Sequence, residues 1–292
     1  MRKISVAGYG YIERLGAERS IRLVGEAGFE AMDYPLYDED VRKEFLLGKT
    51  STLSEARALR RLAEDLGVTI DQTHAPFGYR ADDGSTQETI LDEYKRSAEA
   101  TAALGAKYMV VHPVKFENCK FGYRREECFD LNVDLFRRLA PTLRECGVVA
   151  LLENMFIKDE VEGFYRLVPT IYSTGEELSR ACDVLGEDFA VCLDSGHALI
   201  TREDIPDMVR TIGHRLRALH LHDNTRDRDD HLPPRLGKLP FDDLLAALRE
   251  IGYDGNLNFE VRFTSVPEDE LLTAMKYVRE IGASFRCKLD GE

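Results

Sequence analysis

Carboxylates and imidazoles recur in this sequence at the ends of short apolar runs. His74, His112, Glu153, Asp194, His220 with His222, and Glu260 each close such a run, and His197 and His231 follow shortly after two of them. His214, the seventh histidine, lies in a polar turn and reads as a surface residue. Nitrogen and oxygen donors of this kind suit Mn²⁺, Mg²⁺, Co²⁺ or Zn²⁺, whereas a soft site would need thiolates. Glu153, Asp194, His220 and Glu260 form a mixed ligand set for one divalent metal, with the choice among those four metals left open.

Side chains alternate between the two faces of an extended strand. In Ala218-Leu219-His220-Leu221-His222 both histidines therefore face one side and the leucines the other, so His222 is a reserve ligand beside His220. Cys192 and Asp194 share a face in the same way. Taken singly, His74 or His112 is an ordinary hydrogen-bonded core residue, and Glu153 or Glu260 an ion-pair partner, the latter with Arg262 nearby. Taken together they recur about once per repeat, and packing does not explain that. Carboxylates and imidazoles crowded in one interior are costly unless they are paired or bind a cation. In Asp194-Ser195-Gly196-His197 a histidine stands where a helix start would swing it over a substrate, although Asp194 or Ser195 alone would serve as a cap. Asp229-Asp230-His231 is a second acidic and histidine cluster, which as a bare charge run would be a solvated loop.

The elements that position these residues alternate regularly. Strands are expected at Ile4 to Ala7, Ala31 to Tyr34, Val68 to His74, Tyr108 to His112, Val148 to Glu153, Phe189 to Asp194, Leu216 to His222 and Asn256 to Glu260. Amphipathic stretches lie between them at Ser54 to Leu66, Leu91 to Leu104, Leu131 to Cys146, Glu176 to Leu185, Asp242 to Ile251 and Glu268 to Ile281. Several end in a glycine that supplies a left-handed cap, as at Leu104-Gly105 and Cys146-Gly147. Eight βα repeats predict an α/β fold, a single (β/α)8 TIM barrel over residues 1–292, and all strand ends then converge on one catalytic face. An open doubly wound sheet is the competing fold. Gly8-Tyr9-Gly10 begins a dinucleotide loop, but Glu13 stands where its third glycine belongs.

Composition excludes several functions. A net charge of −14 repels phosphate backbones and anionic membranes, so nucleic acid is disfavoured as a partner. The N-terminus lacks a signal-like apolar stretch and no run reaches the roughly 18 residues of a membrane span, which points to a cytoplasmic enzyme. Six cysteines without CxxC spacing read as reduced thiols and receive no role.

The motifs His74-Ala-Pro, Val-Val-His112-Pro, Leu-Leu-Glu153-Asn, Leu-Asp194-Ser-Gly-His197, His220-Leu-His222-Asp223-Asn224 and Gly252-Tyr-Asp-Gly-Asn-Leu-Asn-Phe-Glu260 occur in an order that resembles the xylose-isomerase-like TIM-barrel superfamily. That superfamily includes sugar epimerases, inosose-processing enzymes and endonuclease IV. The resemblance implies that Glu153, Asp194, His220 and Glu260 are single-metal ligands and that His197 contacts substrate. It also implies that His74, His112, His197, Asp229 and His231 match positions that complete a three-zinc cluster in endonuclease IV. Where the family often has Pro-Gly-x-Gly, this chain has Pro233-Pro234-Arg235-Leu236-Gly237-Lys238.

The function this predicts is metal-dependent isomerisation or epimerisation of a sugar, sugar acid or polyol-derived ketone through an enediolate, with Glu153 and Glu260 moving protons and His197 orienting substrate. The alternatives are a zinc-dependent phosphodiester hydrolase acting at abasic DNA, and a non-catalytic sugar-binding barrel. Arg228 and Arg235, with Arg226, are candidates for an anionic substrate group or for loop salt bridges. The segments Pro113 to Asp130 and Asn154 to Thr174 carry Phe116, Phe121, Tyr123, Phe156, Phe164, Tyr165 and Tyr172. Those aromatics are suited to covering a sugar ring, or to a subunit interface in a homo-oligomer.

Overall fold

The computed structural model describes residues 2–39, 53–81, 84–116, 124–161 and 163–291. Eight parallel strands form the barrel: β1 (Ile4–Ala7), β2 (Ala31–Pro35), β3 (Thr69–His74), β4 (Tyr108–Val111), β5 (Val149–Glu153), β8 (Phe189–Asp194), β9 (Leu216–His220) and β10 (Leu257–Phe259), in the spatial order β10-β1-β2-β3-β4-β5-β8-β9. The ring closes between β9 and β10. There Leu221 N donates to Asn258 O at 2.8 Å and Glu260 N to Leu221 O at 3.1 Å. Closure leaves the eight-stranded barrel sheet itself without an edge strand among the described residues.

Period-two alternation sorts the strand residues into two layers. Val110, Leu151, Ala190, Cys192 and Ala218 pack inside the barrel. Their neighbours Met109, Val111, Ala150, Leu152, Val191, Leu193 and Leu219 pack outward against the helices. Each fully buried aliphatic side chain contributes roughly 1.5–3 kcal/mol of transfer free energy, so a one-residue slip in any strand would be heavily penalised. The helices around the barrel are α1 (Ile12–Leu15), α2 (Ala17–Glu26), α3 (Leu53–Asp65), α4 (Gly84–Leu104), α5 (Arg125–Cys146), α6 (Gly175–Leu185), α7 (Ser195–Ile200), α8 (Ile205–Ile212), α9 (Phe241–Glu250) and α10 (Glu268–Asp290). Helix α5 ends on Gly147 at φ 67°, the left-handed cap that returns the chain to β5. No helix among the described residues is long and apolar enough to cross a membrane.

The chain departs from the expected βα alternation between β5 and α6. Residues expected to form a loop pair instead as an antiparallel hairpin, β6 (Phe156–Val161) with β7 (Phe164–Pro169). Its two ends differ: Phe164 and Tyr165 stand exposed at the tip, whereas Phe156 at the base turns into the catalytic face. Tyr172 is not a cavity residue, because it is fully buried in the core beside Phe129. Phe116 lies under the Arg124 guanidinium, and Phe121 and Tyr123 lie outside the described residues. Cys146, Cys182, Cys192 and Cys287 are free thiols, Cys128 is buried, and Cys119 is outside the described residues. His214 is exposed.

Candidate metal centre

Every candidate carboxylate and imidazole at a strand end reaches the same end of the barrel. Ligand atoms of Glu153, Asp194, His220 and Glu260 all lie within 4.8 Å of one another, and all four residues are buried. Two further groups meet the same criterion: His74 with Glu153 and His220, and His197 with His222, Asp229 and His231. Glu153 is the hub. Its Oε1 lies 2.9 Å from His220 Nδ1, and its Oε2 lies 2.7 Å from His112 Nε2 and 3.3 Å from His74 Nε2. Glu260 Oε2 lies 3.5 Å from the same His220 Nδ1. His222 sits to one side, its Nε2 at 3.0 and 3.1 Å from the Asp194 carboxylate and its ring stacked 3.9 Å from that of His231. Of the adjacent pair, His220 is thus the histidine that faces Glu153 and Glu260.

Local hydrogen bonds aim these groups. Asp194 caps α7 by accepting from His197 N at 2.6 Å. Asn154 clamps Asp194 through both ends of its amide, accepting from Asp194 N at 2.7 Å and donating to Asp194 O at 2.9 Å. His74, His197 and His231 direct Nδ1 at the carbonyls of Ala75, Asn154 and Glu260, at 2.8 to 2.9 Å. With Nδ1 held in this way each Nε2 is aimed at the centre, where a cation would take the place of its proton. Asp223 holds the loop carrying Asp229 and His231, accepting from the backbone N–H groups of Asn224, Gly237 and Leu239 at 2.9 Å.

The electrostatics are those of a site arranged around positive charge. Burial alone would raise the Asp194 carboxyl, but His197 and His222 outweigh it and hold it at about 2. Burial would likewise lower His231, yet Glu260 and Asp229 push it up to about 9. Burial lowers His112 to about 4 despite its contact with Glu153, so that imidazole is neutral near pH 7. Asp229 Oδ1 is buried without a hydrogen bond, and His74 and His112 turn their Nε2 atoms towards each other at 3.0 Å. Converging imidazole nitrogens, clustered carboxylates and an orphaned carboxylate oxygen all fit a divalent cation.

A cavity of about 230 Å³ opens above the centre, lined by Tyr9, Tyr37, Phe77, Met155 and Phe156 together with His74, His112, Glu153, His197, Asp229, His231 and Glu260. No Lys or Arg is among these described lining residues. The loop arginines lie away from this cavity, and Arg235 and Arg228 make the salt bridges that were their other reading. Arg235 does not approach the cavity, because its guanidinium is held by both Asp242 oxygens at 2.8 Å and lies over Phe241 and Phe285 on the outside of the barrel. Arg228 is also outside, with an 82% exposed side chain 3.3 Å from Asp230. Arg226 belongs instead to a groove beside the hairpin. Arg262 does not neutralise Glu260; it bonds Asp229 O and covers the Tyr9 ring. The Gly8-Tyr9-Gly10 turn supplies a wall of the cavity through Tyr9.

The sequence reading missed Asp33, Gln72, Asn154 and Asn258 as parts of this assembly. Asn154 was within reach, since it follows Glu153 directly. Gly196 also has a structural requirement, because a Cβ there would fall 2.0 Å from His222 Cε1. Gly196→Ala must push His222 away from Asp194, and overpacking of this kind costs about 1–3 kcal/mol. Thermal denaturation should show a Tm lower by several degrees. An unchanged Tm would mean that the ring has room the structure does not indicate.

Comparison with known proteins places the fold in context. Residues 21–281 match the family model described as xylose isomerase-like TIM barrel. A D-psicose 3-epimerase from Enterocloster bolteae is 33% identical over 120 residues, which is 41% of this chain and 35% of that protein. An inosose dehydratase from Clostridium perfringens is 23% identical over 207 residues, covering 61% of this chain and 66% of that one. Among solved structures, an IolI protein with a bound zinc atom superposes with a TM-score of 0.76 at 18% identity, covering 97% of this chain and 98% of that one.

Proposed function

The chain belongs to the xylose isomerase-like TIM-barrel family, and from that premise we propose that it is a divalent-metal-dependent isomerase or epimerase of a small, uncharged sugar or polyol-derived ketone. The observation that carries this reading is the quartet Glu153, Asp194, His220 and Glu260 beneath a small cavity. The volume of about 230 Å³ suits a monosaccharide, and lining carboxylates without a lysine or arginine among the described residues disfavour a phosphorylated one. The epimerase and dehydratase relatives support the sugar class.

Glu153, Asp194, His220 and Glu260 would hold the cation. When bound, it supplies positive charge that offsets the charge developing on adjacent carbonyl and hydroxyl oxygens of the substrate. The chain's own groups do the rest. Glu153 and Glu260, both reaching the cavity, exchange a proton with the reacting carbon from two sides. His197, fixed by Asn154 O, presents Nε2 to a substrate hydroxyl. Tyr9, Tyr37, Phe77 and Phe156 pack on the sugar's apolar faces and exclude water. A cytoplasmic location accompanies this reading.

The test is a panel of unphosphorylated ketoses and inososes incubated in D₂O. Turnover with deuterium entering at the reacting carbon is the expected result, and turnover with complete retention of the original hydrogen would argue against proton exchange through a carboxylate.

A second reading, metal-assisted phosphodiester cleavage, is favoured by one observation: the groups around His74 and around His231 flank the quartet and share its neighbourhood. The charge of −14 opposes it. Nicking of a duplex containing an abasic site would establish it.

A further inference from the structure

We propose that Asp33 is the positioning residue that makes His220 a metal ligand, an inference that rests on the metal reading above. Asp33 lies on β2, one layer below the quartet, and is 2% exposed. Its Oδ2 lies 3.0 Å from His220 Nε2, and also accepts from Gln72 Nε2 at 2.8 Å and Asn258 Nδ2 at 3.3 Å. These three partners come from three strands other than its own. The ladder between β2 and β3 slips by one residue between Met32 and Asp33, which pairs Asp33 with Gln72 and not with Asp71. Such irregularities commonly re-aim side chains beside a site.

His220 is oriented differently from its neighbours. His74, His197 and His231 are tied through Nδ1 to neutral carbonyls. His220 is tied through Nε2 to a carboxylate, and its Nδ1 is the atom that meets Glu153 and Glu260. With a cation beside Glu153 and Glu260, Asp33 would hold the proton on Nε2 and leave the Nδ1 lone pair to the metal, and its charge would enrich that lone pair. Asp33 Oδ1 meanwhile is buried without a hydrogen bond. A carboxylate kept there costs the fold stability, and among the described residues the titratable group within hydrogen-bond distance of it is His220.

Asp33→Asn tests the charge with almost no change in shape: the amide oxygen keeps the place of Oδ2, and the amide nitrogen takes that of Oδ1. Zn²⁺ affinity, measured on metal-stripped protein by competition with a chelating dye, should fall about 10–100-fold. A variant affinity within about twofold of wild type overturns the positioning role while leaving the metal reading intact. A wild-type chain that takes up none of Zn²⁺, Mn²⁺, Co²⁺ and Mg²⁺ overturns the metal reading, and the inference falls with it. Should Asp33→Asn fail to fold, ¹⁵N spectra of Zn²⁺-loaded wild type decide the matter. They should show His220 protonated on Nε2, and protonation on Nδ1 would overturn the proposal.

Discussion

Glu153→Gln should leave a folded barrel whose kcat at saturating metal is lower by about 10³-fold or more, near the top of the range for removal of a general acid–base group. The magnitude follows from how many roles converge on one side chain. Oε1 faces His220 and Oε2 faces both His112 and His74, so an amide cannot satisfy all three imidazoles in their present orientations. It also cannot shuttle a proton. Asp194→Asn separates the two roles, because Asp194 is assigned to holding metal and not to proton transfer. That variant should bind metal weakly and recover much of its kcat when metal is raised, whereas Glu153→Gln should not recover. A Glu153→Gln enzyme within about tenfold of wild type would remove Glu153 from the chemistry.

Stripping the metal should have the second-largest effect, on turnover and on stability together. Without a cation, Glu153, Asp194 and Glu260 are close-set buried carboxylates balanced only by imidazoles. The stripped protein should be inactive and should melt at a lower temperature. Adding back metal at about 100 times its Kd should stabilise the fold by about 2.7 kcal/mol, equivalent to several degrees in Tm. If Mn²⁺, Co²⁺, Mg²⁺ and Zn²⁺ all leave Tm and turnover unchanged, the quartet is a hydrogen-bonded network and not a metal centre.

The barrel was legible because its strands obey a simple rule. Runs such as Ala218 to His222 and Phe189 to Asp194 alternate strictly, and a polar residue at the C-terminal end of a buried strand stands out against its neighbours. The structure gathers the residues picked out in this way at one mouth of the barrel. Asp33 was not legible. It lies within its strand rather than at the end, and its key partner His220 is 187 residues away. Helix α7 carried no periodic signal, since all six of its residues are buried and no polar face marks it. The β6–β7 hairpin was obscured by the charged stretch Lys158-Asp159-Glu160, which does not alternate because both strands lie largely outside the core. The position of Arg235 in its loop left an anionic substrate group and a salt bridge equally open, and the structure shows the salt bridge. Asp242, at the start of α9, draws Arg235 outward.

The most direct test of the central claim is the metal content of protein prepared without chelators or a metal-affinity column, read by plasma mass spectrometry beside Glu260→Ala. The account predicts about one divalent ion per wild-type chain and almost none in the variant. Wild-type protein that remains metal-free after reconstitution, or a variant that retains the full complement, would contradict it.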